Sequence, residues 1–235
     1  MSQTFPSFSA WRFLRRVSMR AMFLSLALSA PFASASVIYT QGHVTTVTDV
    51  LNSGTLVVAN NLGSGAPSTT VNGVAFGNSA ANLGGMANGG GDFSTQFTSG
   101  GPLDLLLSGL AFQYGGTSSL SLTGLSAGTD YMLQLFLANQ VNATGKTSRV
   151  TVQGQIYNLL NFGNGADYLR ISFTALSGTE VINFGNGSGS EPDRMVLNAY
   201  ALSTAGSSSV PEPGSLALLG IGLLGLGLGK RRSSR

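Results

Sequence analysis

The chain has 235 residues, 43% hydrophobic and 9% charged, with 33 glycines, no cysteine and one histidine. Without cysteine there are no disulfides, thiolate metal sites or thiol nucleophiles, and one histidine leaves little for a zinc set or a triad. The formal charge of +3 belongs to the chain ends: residues 36–229 hold four basic residues against nine carboxylates, a net of −5, so nothing there marks a nucleic-acid binder.

The N-terminal end reads as an export signal. Arg12, Arg15, Arg16 and Arg20 precede an apolar stretch over 21–30, and Ala33-Ser34-Ala35 gives the small-x-small pattern that signal peptidase accepts. Ten apolar residues are too few to span a bilayer. Residues 1–35 are therefore expected to be a signal peptide cleaved after Ala35, with Ala33 and Ala35 at the cleavage site. Met1 and Met19 both remain open as the start. Export implies signal peptidase and the general secretion machinery as partners.

Residues 36–202 read as a single all-β domain, a jelly-roll-like β-sandwich. Short apolar runs are separated by Gly, Asn, Ser and Thr, and helical periodicity is nearly absent. Strands are expected over 44–48, 56–60, 71–76 and 112–114. Gly84–Gly91 holds five glycines in eight residues and reads as a long flexible loop. Leu103–Gly109 reads as a short helix or turn. Leu120 and Leu122 alternate with serines on one strand. Tyr131–Leu137 is apolar on both faces, which suggests a central strand covered on both sides. Further strands are expected over 149–152, 155–159, 168–173, 180–184 and 195–202.

Asn161-Phe-Gly-Asn-Gly165 recurs as Asn183-Phe-Gly-Asn-Gly187. Asn-Gly favours turns that need positive φ. Two similar turns at one end of the sandwich is one reading, with Phe162 and Phe184 capping the core. A pair of ligand-contacting loops is the other.

Catalytic chemistry is sparse. His43 has Thr45, Thr46, Thr48 and Asp49 nearby, but these lack triad spacing. Asp92, Asp104, Asp130, Asp167, Glu180, Glu191 and Asp193 are scattered and fall mostly in expected loops, without the pairing of a glycosidase. Asp130 reads as an Asx-turn residue. Glu191-Pro192-Asp193-Arg194 is the densest cluster; it reads as a solvated turn or, with Asn186, as a calcium site. The only tryptophan, Trp11, lies before the cleavage site, so the domain has no Trp platform for sugars. No catalytic residue, resident metal or cofactor is expected.

The C-terminal end has three parts in order. After a Ser203–Ser209 linker come Val210-Pro211-Glu212-Pro213, an apolar run over 216–229, and Lys230, Arg231 and Arg232. As a helix from Gly214 the run would be about 24 Å long, short of a ~30 Å hydrocarbon core without help from flanking residues. The basic cluster would stay cytoplasmic, leaving the domain outside. Neither proline suits a helix interior, so the segment between is extended and readable by a protease.

This tail, 210–235, closely resembles the PEP-CTERM sorting signal, the resemblance covering residues 210–232. The resemblance implies recognition of Pro211, Glu212 and Pro213 by an exosortase, a membrane protease of Gram-negative bacteria that make exopolysaccharide. An uncleaved tail anchor is the alternative. Residues 70–202, with Val71-Asn72-Gly73-Val74, the Leu122–Phe136 stretch and Leu197–Leu202, resemble galactose-binding-like jelly-roll domains of the cell envelope. That resemblance implies a fold, and a superfamily that often binds glycans and structural calcium. The expectation is an exported, non-enzymatic envelope or matrix protein, processed by an exosortase and placed at the cell surface or outside it. Its role would be structural or adhesive in exopolysaccharide or biofilm. The alternative is a carbohydrate-binding module, calcium-assisted or not, with exopolysaccharide as partner.

Overall fold

In the computed structural model the residues described are 36–90, 99–114, 116–138, 148–159, 165–186 and 194–206. They fold mostly as β-strands. One five-stranded antiparallel sheet runs β1 (Ile38–His43), β12 (Ala166–Thr174), β9 (Asp130–Ala138), β15 (Ala199–Thr204), β2 (Leu56–Asn61). A second runs β11 (Gln155–Leu159), β10 (Ser148–Val152), β13 (Thr179–Asn186), β8 (Ser118–Thr123), β5 (Leu83–Gly84). A three-stranded sheet pairs β14 (Arg194–Leu197), β7 (Gly109–Tyr114) and β6 (Ala87–Gly90), and β3 (Thr69–Val71) pairs with β4 (Val74–Phe76).

Period-2 patterning explains the sandwich. Leu120 and Leu122 on β8, Val150 and Val152 on β10, and Ile182 and Phe184 on β13 point inward. They meet Leu133, Leu135, Leu169 and Ile171 from the first sheet in one continuous core. Each such side chain contributes roughly 1.5–3 kcal/mol by leaving water. The intervening Ser119, Ser121, Thr151 and Asn183 remain outside.

The expectation for 131–137 holds. β9 is the middle strand of its sheet. Its other face buries Phe136 in a second core with Val44, Val50, Val71, Phe76 and the helix α1 (Pro102–Leu107). The β3–β4 turn has Asn72 at φ 48° and Gly73 at φ 78°, the paired positive values of a tight hairpin that Asn-Gly favours. Residues 71–76 are thus a hairpin, where the sequence suggested one strand.

Other expectations shift. The first strand is Ile38–His43, and 44–48 leads instead into a 3₁₀ turn at Val47–Asp49. Asp49 accepts the Thr45 and Thr46 backbone N–H groups, local bonds that compete with a sheet ladder. Gly84, Gly89 and Gly90 lie in strands rather than in a loop. The stretch 195–202 breaks at Asn198 into β14 and β15, which join different sheets. Asn183–Asn186 of the second repeat copy is part of β13, with Phe184 fully buried; Gly187 of that copy and 161–164 of the first lie outside the described residues. β15 also continues through Ser203 and Thr204, into the expected linker.

Among the described residues no helix is long and apolar enough to cross a membrane. The expected signal peptide and the C-terminal apolar run lie outside those residues.

Candidate functional site

The outer face of the five-stranded β1–β2 sheet is covered unevenly. Over its His43 end lies the 44–51 segment, tied down from below. Gln134 Nε2 and Arg170 Nη2 both donate to the Asp49 carbonyl, at 2.7 and 2.9 Å, and Leu51 N–H donates to Gln134 Oε1 at 2.9 Å. The Arg170 guanidinium also sits 4.2 Å from the Tyr168 ring centroid. The Asp49 carboxyl titrates below its ordinary range, chiefly because the backbone N–H groups of Thr45 and Thr46 point at it.

At the other end of the face this cover stops, leaving a groove of about 630 Å³. Register places Ile38, Ser172, Met132 and Ser203 side by side across four strands. Asp130 pairs with Thr174 one row beyond. Ser172 Oγ lies 3.5 Å from Met132 Sδ, and Thr174 Oγ1 donates to Asp130 Oδ1 at 2.5 Å. Asp130 is thus bonded across strands and not in an Asx turn.

Both ends of the described domain meet at this groove. Ser36 lines it on the entering side, Ala205 and Gly206 on the leaving side. The departing strand is held firmly. Thr204 N–H donates to the Thr55 carbonyl at 2.9 Å, Thr55 N–H donates to Thr204 Oγ1 at 3.0 Å, and Ala205 N–H donates to the Asp130 carbonyl at 2.8 Å. The lining offers an isoleucine, a thioether, several hydroxyls and one bonded carboxylate. The one hydroxyl–carboxylate pair in the lining is Thr174 with Asp130, bonded across β12 and β9.

The other ionisable groups are dispersed and locally engaged. His43 Nδ1 lies 2.5 Å from Asp167 Oδ1, an exposed imidazole (78%) against a buried carboxylate (2%). Gln153 donates to Glu180 Oε2 at 2.9 Å, and Asp104 accepts Gly100 N–H at 2.8 Å at the start of α1. Glu180 lies in β13, within the strand expected over 180–184, and Asp167 lies in β12, one residue ahead of the strand expected over 168–173. Among the described residues, no three His, Asp or Glu side chains come together as a metal site. Asp92, Glu191 and Asp193 lie outside those residues, as do Ala33, Ala35, Pro211, Glu212, Pro213, Lys230, Arg231 and Arg232.

Sequence reading missed the groove and its clamp. The one local signal was Gly54 in Asn52-Ser-Gly-Thr55, a turn that reads as ordinary until its packing on Thr204 is seen.

Fold and site together define a β-sandwich domain whose two ends emerge on one face. In structure it is similar to the ANX1 ectodomain from Arabidopsis thaliana, with TM-score 0.53 and 11% identity over 66% of this chain and 42% of that one. The plant receptor-like kinase ANX2 gives TM-score 0.51 and 10% identity over 65% and 49%. These likenesses show the fold alone, and the chain spans less than half of either structure. No curated protein matches it in sequence. Residues 209–232 match the PEP-CTERM protein-sorting motif. The chain therefore carries the address of an exported protein directed to an exosortase, beginning a few residues after the last strand.

Proposed function

We propose that the protein is exported to the cell surface or beyond, is cut by an exosortase near Pro211-Glu212-Pro213, and then serves as a non-enzymatic structural or adhesive component of the envelope or extracellular matrix. The observation that carries the sorting half is the match at 209–232, which begins a few residues after the last described strand, β15 (Ala199–Thr204). In this reading the run over 216–229 holds the precursor in the inner membrane of a Gram-negative bacterium, with Lys230, Arg231 and Arg232 on the cytoplasmic side. The non-enzymatic half is supported by the dispersal of His43, Asp104, Asp130, Asp167 and Glu180 among separate local bonds.

The test is the intact mass and fractionation of the native protein, with and without Glu212→Ala plus Pro213→Ala. The doubly substituted chain should persist as a larger, membrane-retained form. An unchanged mature mass would defeat the proposal.

A second reading, carbohydrate binding, is favoured by one face. The outside of the second sheet presents Ser119, Asn183 and Thr151 in one row, with Ser121 beside Val181 in the next, and Arg149 between Asn158 and Gly185 on the other side of that row. Sugars are bound by such hydroxyls and amides, although this face has no aromatic platform. Binding of the processed protein to a glycan array, with and without calcium, decides it; silence toward every polysaccharide, the host's own included, would remove this reading.

A further inference from the structure

We infer that the groove at the chain exit is a docking surface for the processing enzyme itself, a second recognition site apart from the Pro-Glu-Pro segment. The inference rests on the reading that an exosortase cuts the tail.

The geometry begins with the clamp. The chain is fixed up to Ala205 by bonds to Thr55 and Asp130. From Gly206 to Glu212 is six residues, which span at most about 20 Å when fully extended. An enzyme whose cleft holds Pro211–Pro213 therefore has its reacting centre within that radius of Gly206. A small folded domain is about 30 Å across. That reach is short enough for the body of the enzyme to rest against the face from which the tail departs, and the groove is the bare part of that face. The strap at 44–51, the β3–β4 hairpin and α1 cover the rest.

The chemistry of the groove selects a protein partner over a lipid surface. Ile38 is 58% exposed on an edge strand, beside Met132 and Ser172. No lysine or arginine lines the groove, and its charged residue is Asp130. Anionic lipid headgroups attract clusters of basic residues, which this surface lacks. The fitting partner is an apolar patch that carries hydrogen-bond donors for the hydroxyls and the carboxylate. On-rate and specificity for the motif would then come from two contacts joined by a short tether, and the effective concentration of the second falls as the tether lengthens.

The experiment follows precursor conversion by pulse-chase of the full chain, in a host that carries the exosortase. Three variants are compared with the natural chain: Ile38→Glu, an insertion of twelve Gly/Ser residues between Gly206 and Ser207, and Glu212→Ala plus Pro213→Ala. Ile38→Glu should slow conversion about fivefold, the scale of losing one good interface side chain. The insertion should slow it similarly, and both together should be no slower than the worse alone. Ile38 is exposed, so the melting temperature should not move; the insertion leaves the domain's own residues intact and serves if it does. Conversion of both variants at the natural rate, with the motif variant blocked, overturns the docking surface and leaves exosortase processing standing. Conversion of the motif variant overturns both. Binding of the processed protein to vesicles of neutral and anionic lipid, lost in Ile38→Glu, would assign the groove to the membrane and also overturn the inference.

Discussion

Gly54 packs against Thr204 so closely that a Cβ on Gly54 would overlap the Thr204 carbonyl. Gly54 also has φ 76°, a conformation costly for any residue with a Cβ. The two conditions coincide at β15, the last described strand before the sorting tail. Gly54→Ala is therefore expected to cost at least about 2 kcal/mol, from left-handed strain plus overpacking against backbone. For a domain of this size that lowers Tm by about 4–8 °C. Thermal unfolding of the processed protein checks it, and a variant melting with the natural chain would mean that the 51–55 loop moves aside freely.

Asn198 is the hinge between two sheets, and its side chain is fully engaged there. Nδ2 donates to the carbonyls of Leu107 and Gly109, each at 2.8 Å, and Oδ1 accepts Ala138 N–H at 2.6 Å. The residue is fully buried. Asn198→Ala orphans three backbone groups at once, each worth about 1–3 kcal/mol when left unsatisfied. A loss of about 3 kcal/mol or more is expected, with faster amide exchange at Ala138. Asn198→Asp should be no milder, since it removes both donated bonds and buries a charge. Urea unfolding that finds either variant within 1 kcal/mol of the natural chain would show the bonds to be replaceable by water.

What could be read from the sequence follows from the range of the interactions involved. β8, β10 and β11 were legible because alternation within five or six residues decides which side faces the core. The sorting tail was legible because its recognition is linear. Asn198 was not, because nothing near it in sequence tells that Leu107, Gly109 and Ala138 will surround it. The glycines of 84–90 misled for a related reason. They resemble a loop, yet Gly89 sits in a strand against the Leu110 and Phe112 side chains of β7, where glycine lets the two strands pack closely. The groove was invisible because it joins Ile38, Asp130, Met132, Ser172 and Gly206, which only the sheet order brings together.

Gln134 is a buried polar residue in the middle of β9, and its amide serves one purpose on each side. It donates to the Asp49 carbonyl and accepts Leu51 N–H. Gln134→Leu keeps the volume roughly and removes both bonds, leaving Leu51 N–H without its partner; Arg170 still holds Asp49. The expected cost is about 1–3 kcal/mol. It should be felt first as local opening, with amides over 44–51 exchanging faster while those of β8 and β13 keep their protection. Uniform acceleration across all strands would show that the strap is part of the global folding unit.

Asp49 gives the strap a dependence on pH. Its carboxylate accepts Thr45 N–H at 2.7 Å and Thr46 N–H at 2.8 Å, and these bonds hold its pKa below the ordinary value. A carboxyl with a depressed folded pKa stabilises the fold above its unfolded pKa, near 3.9. That contribution fades as pH falls through the lower folded value. Asp49→Asn cannot ionise, so the stability gap between natural and substituted protein should be steady from neutral pH down to about 5 and then close toward pH 2–3. Because Asp49 lies near the surface, the gap should be about 0.5–1 kcal/mol, the scale of losing a side-chain cap. Urea unfolding at a series of pH values measures it directly. A gap that stays constant into acid would mean that the charge on Asp49 is immaterial, and one that widens would reverse the sign argued from the Thr45 and Thr46 bonds.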